Sequence, residues 1–407
     1  MLTRLALKNF RLLRDVTIDV EPGKPIVLIG PNSAGKSSVI HALDFLSRCA
    51  REGLKPALSA FGGKSALITA GKSDYDDDLS LALHLDLPDV VPWTSSYKLD
   101  YVMSLALSDL TLEHLMTKEE DGRSADIITR TDTTLSLVNS TTQKKEEQAI
   151  SAINRERLSF EFVRSRASYF FLDELREALS SIRIYDGFLT TPLWARDVRE
   201  GRLSPFDSAV ISPEPRIDRR GLNLVNALYY IQSSHPDEWD ELERAFRAEF
   251  PFVQRLEFPP DPAGGRIALG WRDRRYPGVR MQGHQMSEGM TSYLCILAAI
   301  LSGEPATAIA FDEPDRHLHP SALRRVVDLL SQLSQRTAVF IATHSDRFLD
   351  YLDDPAGSLR VCEPTEDGVT IRKLGRDVLD EWRKDYTMSQ LREQGQLDPG
   401  NGALTEP

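Results

Sequence analysis

The sequence predicts an α/β protein with a mainly parallel sheet, an N-terminal antiparallel β lobe and an α+β insertion. Three observations carry this. Strands and helices alternate at both ends of the 407-residue chain. A glycine-rich turn near residue 30 joins a wholly apolar strand to an amphipathic helix. Between about residues 90 and 265 the pattern weakens into short strands, helices and polar loops. The expected divisions are therefore 1–90 and 266–376 for the two parts of one domain, 91–265 for an insertion or helical lobe, and 377–407 for a polar tail.

The opening reads as strand, turn, strand. Leu5 and Leu7 alternate with Ala6 and Lys8, and Val16, Ile18 and Val20 with Thr17 and Asp19. Ile26 to Ile29 is continuous and apolar, as a strand buried on both faces must be. Val39, Ile40, Leu43 and Leu46 then follow at helical spacing. Leu79, Leu81, Leu83, Leu85 and Leu87 form the cleanest period-two run, closed by Pro88. In the middle, strands are expected at Leu135–Val138, Leu158–Val163 and Ile182–Tyr185, and helices around 142–157 and 169–181. Residues 187–220, rich in Pro, Arg and Asp, read as a long surface loop. Helices are expected at 222–231 and 236–250, then 289–302 and 320–334, with strands at 307–311 and 337–341 and a helix starting near Asp346. No heptad pattern persists over several turns, so no coiled-coil arm is expected. Residues 395–407 read as a frayed end.

Composition narrows the function. The chain is 41% hydrophobic and 27% charged, ordinary globular usage, which excludes wholesale disorder and fibrous repeats. No apolar run approaches the ~20 residues of a membrane helix. The basic residues among the first fourteen interrupt any signal-peptide core. Cys49, Cys295 and Cys362 are scattered and odd in number, so a reducing cytoplasm is expected rather than a disulfide scaffold or zinc module. The formal charge of −12 rules out coating nucleic acid by bulk electrostatics, and any phosphate contact needs a local patch or a partner.

Four motifs carry chemistry. Gly30-Pro31-Asn32-Ser33-Ala34-Gly35-Lys36-Ser37 fits the phosphate loop, in which a tight turn aims backbone N–H groups at phosphate oxygens. Gly30, Asn32, Gly35, Lys36, Ser37 and Ser38 are the expected nucleotide-binding residues, with Lys36 reaching the β- and γ-phosphates and Ser37 ligating Mg²⁺. Ala306 to Phe311 is an apolar strand ending in Asp312-Glu313. There Asp312 can hold Mg²⁺ and Glu313 can act as general base. A third apolar strand ends in His344, placed to sense a γ-phosphate or else to cap the next helix. Ser287-Glu288-Gly289 opens an apolar helix whose N-terminus, capped by Ser287, favours an anion.

In this order the four motifs resemble the ATP-binding-cassette ATPases, within them the RecF/SMC/OLD branch. Leu7-Lys8-Asn9-Phe10-Arg11 and Asp312-Glu313-Pro314-Asp315-Arg316-His317-Leu318-His319-Pro320 are typical of that branch. The resemblance covers about residues 1–50 and 280–350. It implies an ABC-type P-loop head, with Walker A and Walker B motifs, that binds and hydrolyses ATP with Mg²⁺. Two heads would pack head-to-tail, Ser287 and Gly289 of one completing the nucleotide held by Lys36 and Ser37 of the other, with Glu313 as base and His344 as sensor. The homodimer would act on DNA or on a separate nuclease or effector protein, in DNA repair or phage defence. Relatives of the OLD type often carry a nuclease domain. Only 63 residues follow His344, so none is expected here. Two departures stand out. No Gln lies between Lys36 and Gln143 to serve the usual glutamine loop, and Ser287-Glu288-Gly289 lacks the fuller transporter signature. A monomeric P-loop kinase or small-molecule NTPase is the alternative. His317 and His319 could pair on a metal. The basic clusters at Arg155–Arg166, Arg216–Arg220 and Arg272–Arg275 could meet phosphates but read better as solvated surface.

Overall fold

A computed structural model of the protein describes residues 1–68, 79–87, 97–105, 110–119, 124–131, 133–139, 142, 144–151, 154, 156–163, 168–190, 208–260, 264–303, 305–366 and 368–397. The alternating opening forms a hairpin of β1 (Leu2–Phe10) and β2 (Leu13–Asp19), with Leu5 opposite Ile18 and Leu7 opposite Val16. β3 (Ile26–Ile29) is fully buried and leads through the glycine turn into α1 (Lys36–Glu52), then α2 (Leu54–Ala60). Six strands follow: β4 (Leu79–Leu87), β5 (Tyr97–Leu105), β6 (Leu110–Glu119), β7 (Ser124–Arg130), β8 (Thr134–Val138) and β9 (Lys145–Ala149). α3 (Ser159–Phe162) and α4 (Phe170–Ser180) return the chain to a short strand, β10 (Arg183–Tyr185). Next come β11 (Ala209–Val210), α5 (Leu224–Ser234), α6 (Pro236–Glu249), β12 (Val253–Glu257), β13 (Arg266–Ile267), β14 (Gly270–Asp273) and β15 (Arg280–Gln282). Regular alternation resumes with α7 (Glu288–Ile300), β16 (Ala308–Asp312), α8 (Pro320–Leu333), β17 (Ala338–Ala342), α9 (Asp346–Asp350) and α10 (Pro355–Ser358). β18 (Leu359–Thr365), β19 (Gly368–Lys373), α11 (Arg376–Trp382) and α12 (Met388–Glu393) complete the described fold.

Fourteen strands form one sheet in the order β10-β16-β17-β3-β18-β19-β2-β1-β4-β5-β6-β7-β8-β9. The first five are parallel. From β1 outward every pairing is antiparallel. The expected parallel sheet is thus the core. The antiparallel lobe is much longer than the opening hairpin, because β5 to β9, assigned by sequence to an insertion, extend it without a break. Alternate residues of the core strands feed two layers. Ile26 and Leu28 pack with α1 and α4, whereas Val27 and Ile29 pack with α5, α7 and α8.

Four local expectations are corrected. The helix expected around 142–157 is in part β9, whose Lys145-Glu146-Glu147-Gln148-Ala149 pairs with β8 along its length; strand pairing overrides helix propensity there. The strand expected at Leu158–Val163 is the helical turn α3, because the Glu161 carboxylate accepts from Leu158 N at 2.7 Å and Leu54 N at 3.0 Å. The loop expected on the surface at 187–220 is partly built into the core. Ile217 is buried, and Arg219 bridges Asp44 of α1 and Asp186; residues 191–207 lie outside the described residues. The expected polar tail holds α11 and α12, which bury Leu379, Met388 and Leu391. The far end of the sheet contains a fully buried ion pair, Arg130 with Glu113 at 3.6 Å. Glu113 also accepts from Ser159 N at 2.9 Å, Ser159 Oγ at 2.7 Å and Tyr101 OH at 3.0 Å.

Candidate nucleotide site

The turn after β3 needs its glycines. Gly30 has φ +143° and lies so close to the β18 backbone that a Cβ would fall 2.5 Å from the Cys362 carbonyl oxygen. Gly35 closes the turn at φ +81°, in the left-handed region. No side chain caps α1, so its first N–H groups stay open to the turn, the arrangement that binds anions at helix N-termini. Lys36 is buried, and its ammonium donates to Gly30 O at 2.9 Å and Pro31 O at 2.8 Å. Burial pushes its pKa down, which a bound anion would oppose.

β16 carries Asp312 to the same mouth, where Ser37 Oγ donates to Asp312 Oδ2 at 3.0 Å. Burial pushes the Asp312 carboxyl up, against the lowering effect of that hydrogen bond. Glu313 follows with φ +53° while its N donates to Ala342 O at 2.8 Å, so the strand end is held in a strained turn. Its carboxylate pairs with Arg316 and stands 4.0 Å from His344 Nε2. Burial, and then Lys36, push the His344 pKa down. Ser345, not His344, caps α9. A cleft of about 260 Å³ is lined by Asn32, Gly35, Lys36, Ser37, Ser38, Asp312, Glu313 and His344 among others. The structure thus gathers the three strand-end motifs in one place. Ser37 and Asp312 present a hydroxyl and a carboxylate oxygen, the hard donors that Mg²⁺ takes, and so fit that ion.

Ser287 and Gly289 do not line this cleft. Ser287 Oγ accepts from Met290 N at 3.2 Å, a true N-cap. Gly289 packs on the loop after Glu313, where a Cβ would come within 2.7 Å of the His317 carbonyl oxygen. Ser292 Oγ donates to Arg316 O at 3.3 Å across the same contact. His317 faces Glu288 at 3.2 Å and His319 caps α8, so the two histidines serve separate partners.

Sequence reasoning missed several neighbours. Arg11, in the β1–β2 turn, places Nη1 2.5 Å from His41 Nδ1, and both line the cleft. Arg11 closes the Leu7-Lys8-Asn9-Phe10-Arg11 motif, so its signal was present. Asp186 follows β10, whose parallel register sets Tyr185 opposite Phe311 and brings Asp186 within electrostatic reach of Asp312. Arg219 holds it at 2.8 Å. An acid after an apolar strand was the available clue. Arg392 comes from α12, donates to His344 O at 3.3 Å and pairs with Asp346 at 2.8 Å. Nothing in the polar C-terminal sequence marked it.

Two family profiles match the chain. One described as an AAA ATPase domain covers residues 1–161, and one described as an AAA domain, putative AbiEii toxin, type IV TA system, covers residues 212–350. Among curated proteins none matches. Among solved structures, an SMC head bound to the C-terminal winged-helix domain of ScpA aligns with a TM-score of 0.52 at 16% identity, over 94% of this chain and 99% of that one. The SMC head domain from Thermotoga maritima aligns at 0.44 and 15% identity, over 92% and 99%.

Proposed function

We propose that this chain, an ABC-type ATPase of the RecF/SMC kind, forms an ATP-gated homodimer whose two nucleotides are each shared between copies. One observation carries the reading: the capped helix start at Ser287 and Gly289 stands outside the cleft formed by its own phosphate loop. A second copy, turned head-to-tail, would supply those N–H groups to the far end of the triphosphate. A ligand that binds the dimer better than the monomer shifts the equilibrium toward the dimer.

In the proposed cycle the phosphate-loop N–H groups and Lys36 hold the triphosphate, and Ser37 and Asp312 hold Mg²⁺. Bound there, that ion neutralises charge on the β- and γ-phosphates. Glu313 accepts a proton from the attacking water, and His344, 4.0 Å from Glu313, contacts the γ-phosphate and responds to its departure. Opening of the dimer after hydrolysis would be passed to DNA or to a separate nuclease or effector protein. The toxin–antitoxin profile supports a defence role and the SMC-like fold a DNA-directed one.

Glu313→Gln should keep ATP binding, lose roughly 10²–10⁴-fold in turnover and leave a long-lived dimer visible by light scattering with ATP. Ser287→Arg should retain ATP binding and lose turnover. Full turnover from a monomeric Ser287→Arg variant would sink the shared-site reading and favour a kinase-like enzyme.

A further inference from the structure

The small sheet ahead of α7 carries an arrangement that the nucleotide site does not use. Register sets Arg255 of β12 opposite Arg272 of β14, and Arg272 opposite Arg280 of β15. Three guanidinium groups therefore lie in a row across three adjacent strands, where like charges directly opposed are destabilising. One carboxylate, Glu257, serves all three, at 2.8 Å from Arg255, 2.9 Å from Arg272 and 2.8 Å from Arg280. The β14–β15 turn adds Arg274, exposed and without an ion pair among the described residues, and Arg275, which pairs with buried Asp273 and stacks 4.2 Å over Phe252. At the tip Tyr276 is 56% exposed and Val279 51%.

Five arginines against two carboxylates, in a chain of formal charge −12, make a local positive patch with a largely exposed aromatic ring at its edge, the Arg275 guanidinium 5.9 Å from its centroid. Guanidinium forks match phosphate oxygens, and an exposed tyrosine offers a stacking face to a base. We propose that the outer face of β12, β14 and β15, with Arg274 and Tyr276 at its tip, binds the phosphate backbone of a nucleic acid. An acidic protein would use the charges but has no bases for Tyr276.

The patch is wired to the start of α7. Gly283 N donates to Leu269 O at 2.8 Å, Gln282 N to Gln285 Oε1 at 2.7 Å, and Met286 N to Gly283 O at 2.9 Å, immediately before the Ser287 cap. Resting on the shared-site reading above, nucleic acid bound here should raise ATP turnover by steadying that helix start.

The test is fluorescence anisotropy of labelled duplex DNA, single-stranded DNA and RNA with the full chain, without nucleotide, across a salt series. The wild type should bind at least one of them. Arg274→Ala with Tyr276→Ala should bind roughly tenfold or more weakly, with a salt slope shallower by about one. Arg255→Ala with Arg280→Ala, which leaves Arg272 on Glu257, should also weaken binding, with a salt slope shallower by about two, while circular dichroism stays native. Equal binding by these variants, no binding by the wild type, or binding of polyglutamate or anionic vesicles alone would each overturn the proposal. Lys36→Ala should lose ATP binding yet keep nucleic-acid binding, so failure of the ATP reading and failure of this one are read separately.

Discussion

Gly289 shows how tightly a single position can be constrained by backbone rather than by side chains. It sits in the first turn of α7 with the His317 carbonyl oxygen where a Cβ would need to be, 2.7 Å away. That oxygen belongs to a loop with two strained non-glycine residues, Glu313 at φ +53° and His317 at φ +65°. Neither partner can retreat cheaply. Gly289→Ala should therefore cost on the order of 1–3 kcal/mol, read as a lowered urea midpoint at unchanged slope. Because the displaced loop holds Glu313, turnover should fall further than stability alone explains. A variant as stable and as active as the wild type would show that the loop gives way freely.

At the level of elements, two charged clusters make opposite demands. In the antiparallel lobe Arg130 and Glu113 are wholly buried, and burial raises the Glu113 pKa against the lowering effects of Ser159 and Arg130. Removing one partner strands the other, so Arg130→Met should destabilise by roughly 3–5 kcal/mol in urea unfolding. Adding Glu113→Gln to it should recover part of that loss. In the three-stranded sheet, burial acts to raise the Glu257 pKa, but hydrogen bonds from Arg272, Arg280 and Arg255 outweigh it and hold the group at about 2, below its ordinary 4.5. A depressed carboxylate contributes stability that is complete above its unfolded value and lost as pH falls through the folded one. The Glu257 contribution should therefore fade between pH 4.5 and about 2. The melting temperature of Glu257→Gln should be lower than wild type at neutral pH and should converge with it in that acid window.

For the whole molecule, head-to-tail sharing makes a prediction that no single-chain site can satisfy. Copies carrying Lys36→Ala retain Ser287, and copies carrying Ser287→Arg retain the phosphate loop. Each alone should be inactive. Mixed in equal amounts they should regain about a quarter of wild-type turnover, since half of the dimers would have one intact site of two. A mixture as inactive as its components would mean that each nucleotide is enclosed by one copy.

Much of the site could be read along the chain because each motif is local. A phosphate loop needs glycines at fixed offsets, and an acid or histidine at the end of a buried strand follows an apolar run, so Lys36, Ser37, Asp312, Glu313 and His344, which the fold gathers at one cleft, could each be picked out locally. Core strands were equally legible, since burial on both faces demands continuous apolar runs such as Ile26–Ile29. What required the folded chain was everything set by pairing across long separations. β9 reads as helix until β8 is beside it, and α3 reads as strand until Glu161 reaches the Leu54 and Leu158 amides. Asp186 and Arg392 gain meaning only beside Asp312 and His344, and the arginine row exists only in the register of three strands. Local sequence encodes which backbone and chemical groups are available; only the tertiary fold brings distant ones within the few ångströms at which their charges and hydrogen bonds act.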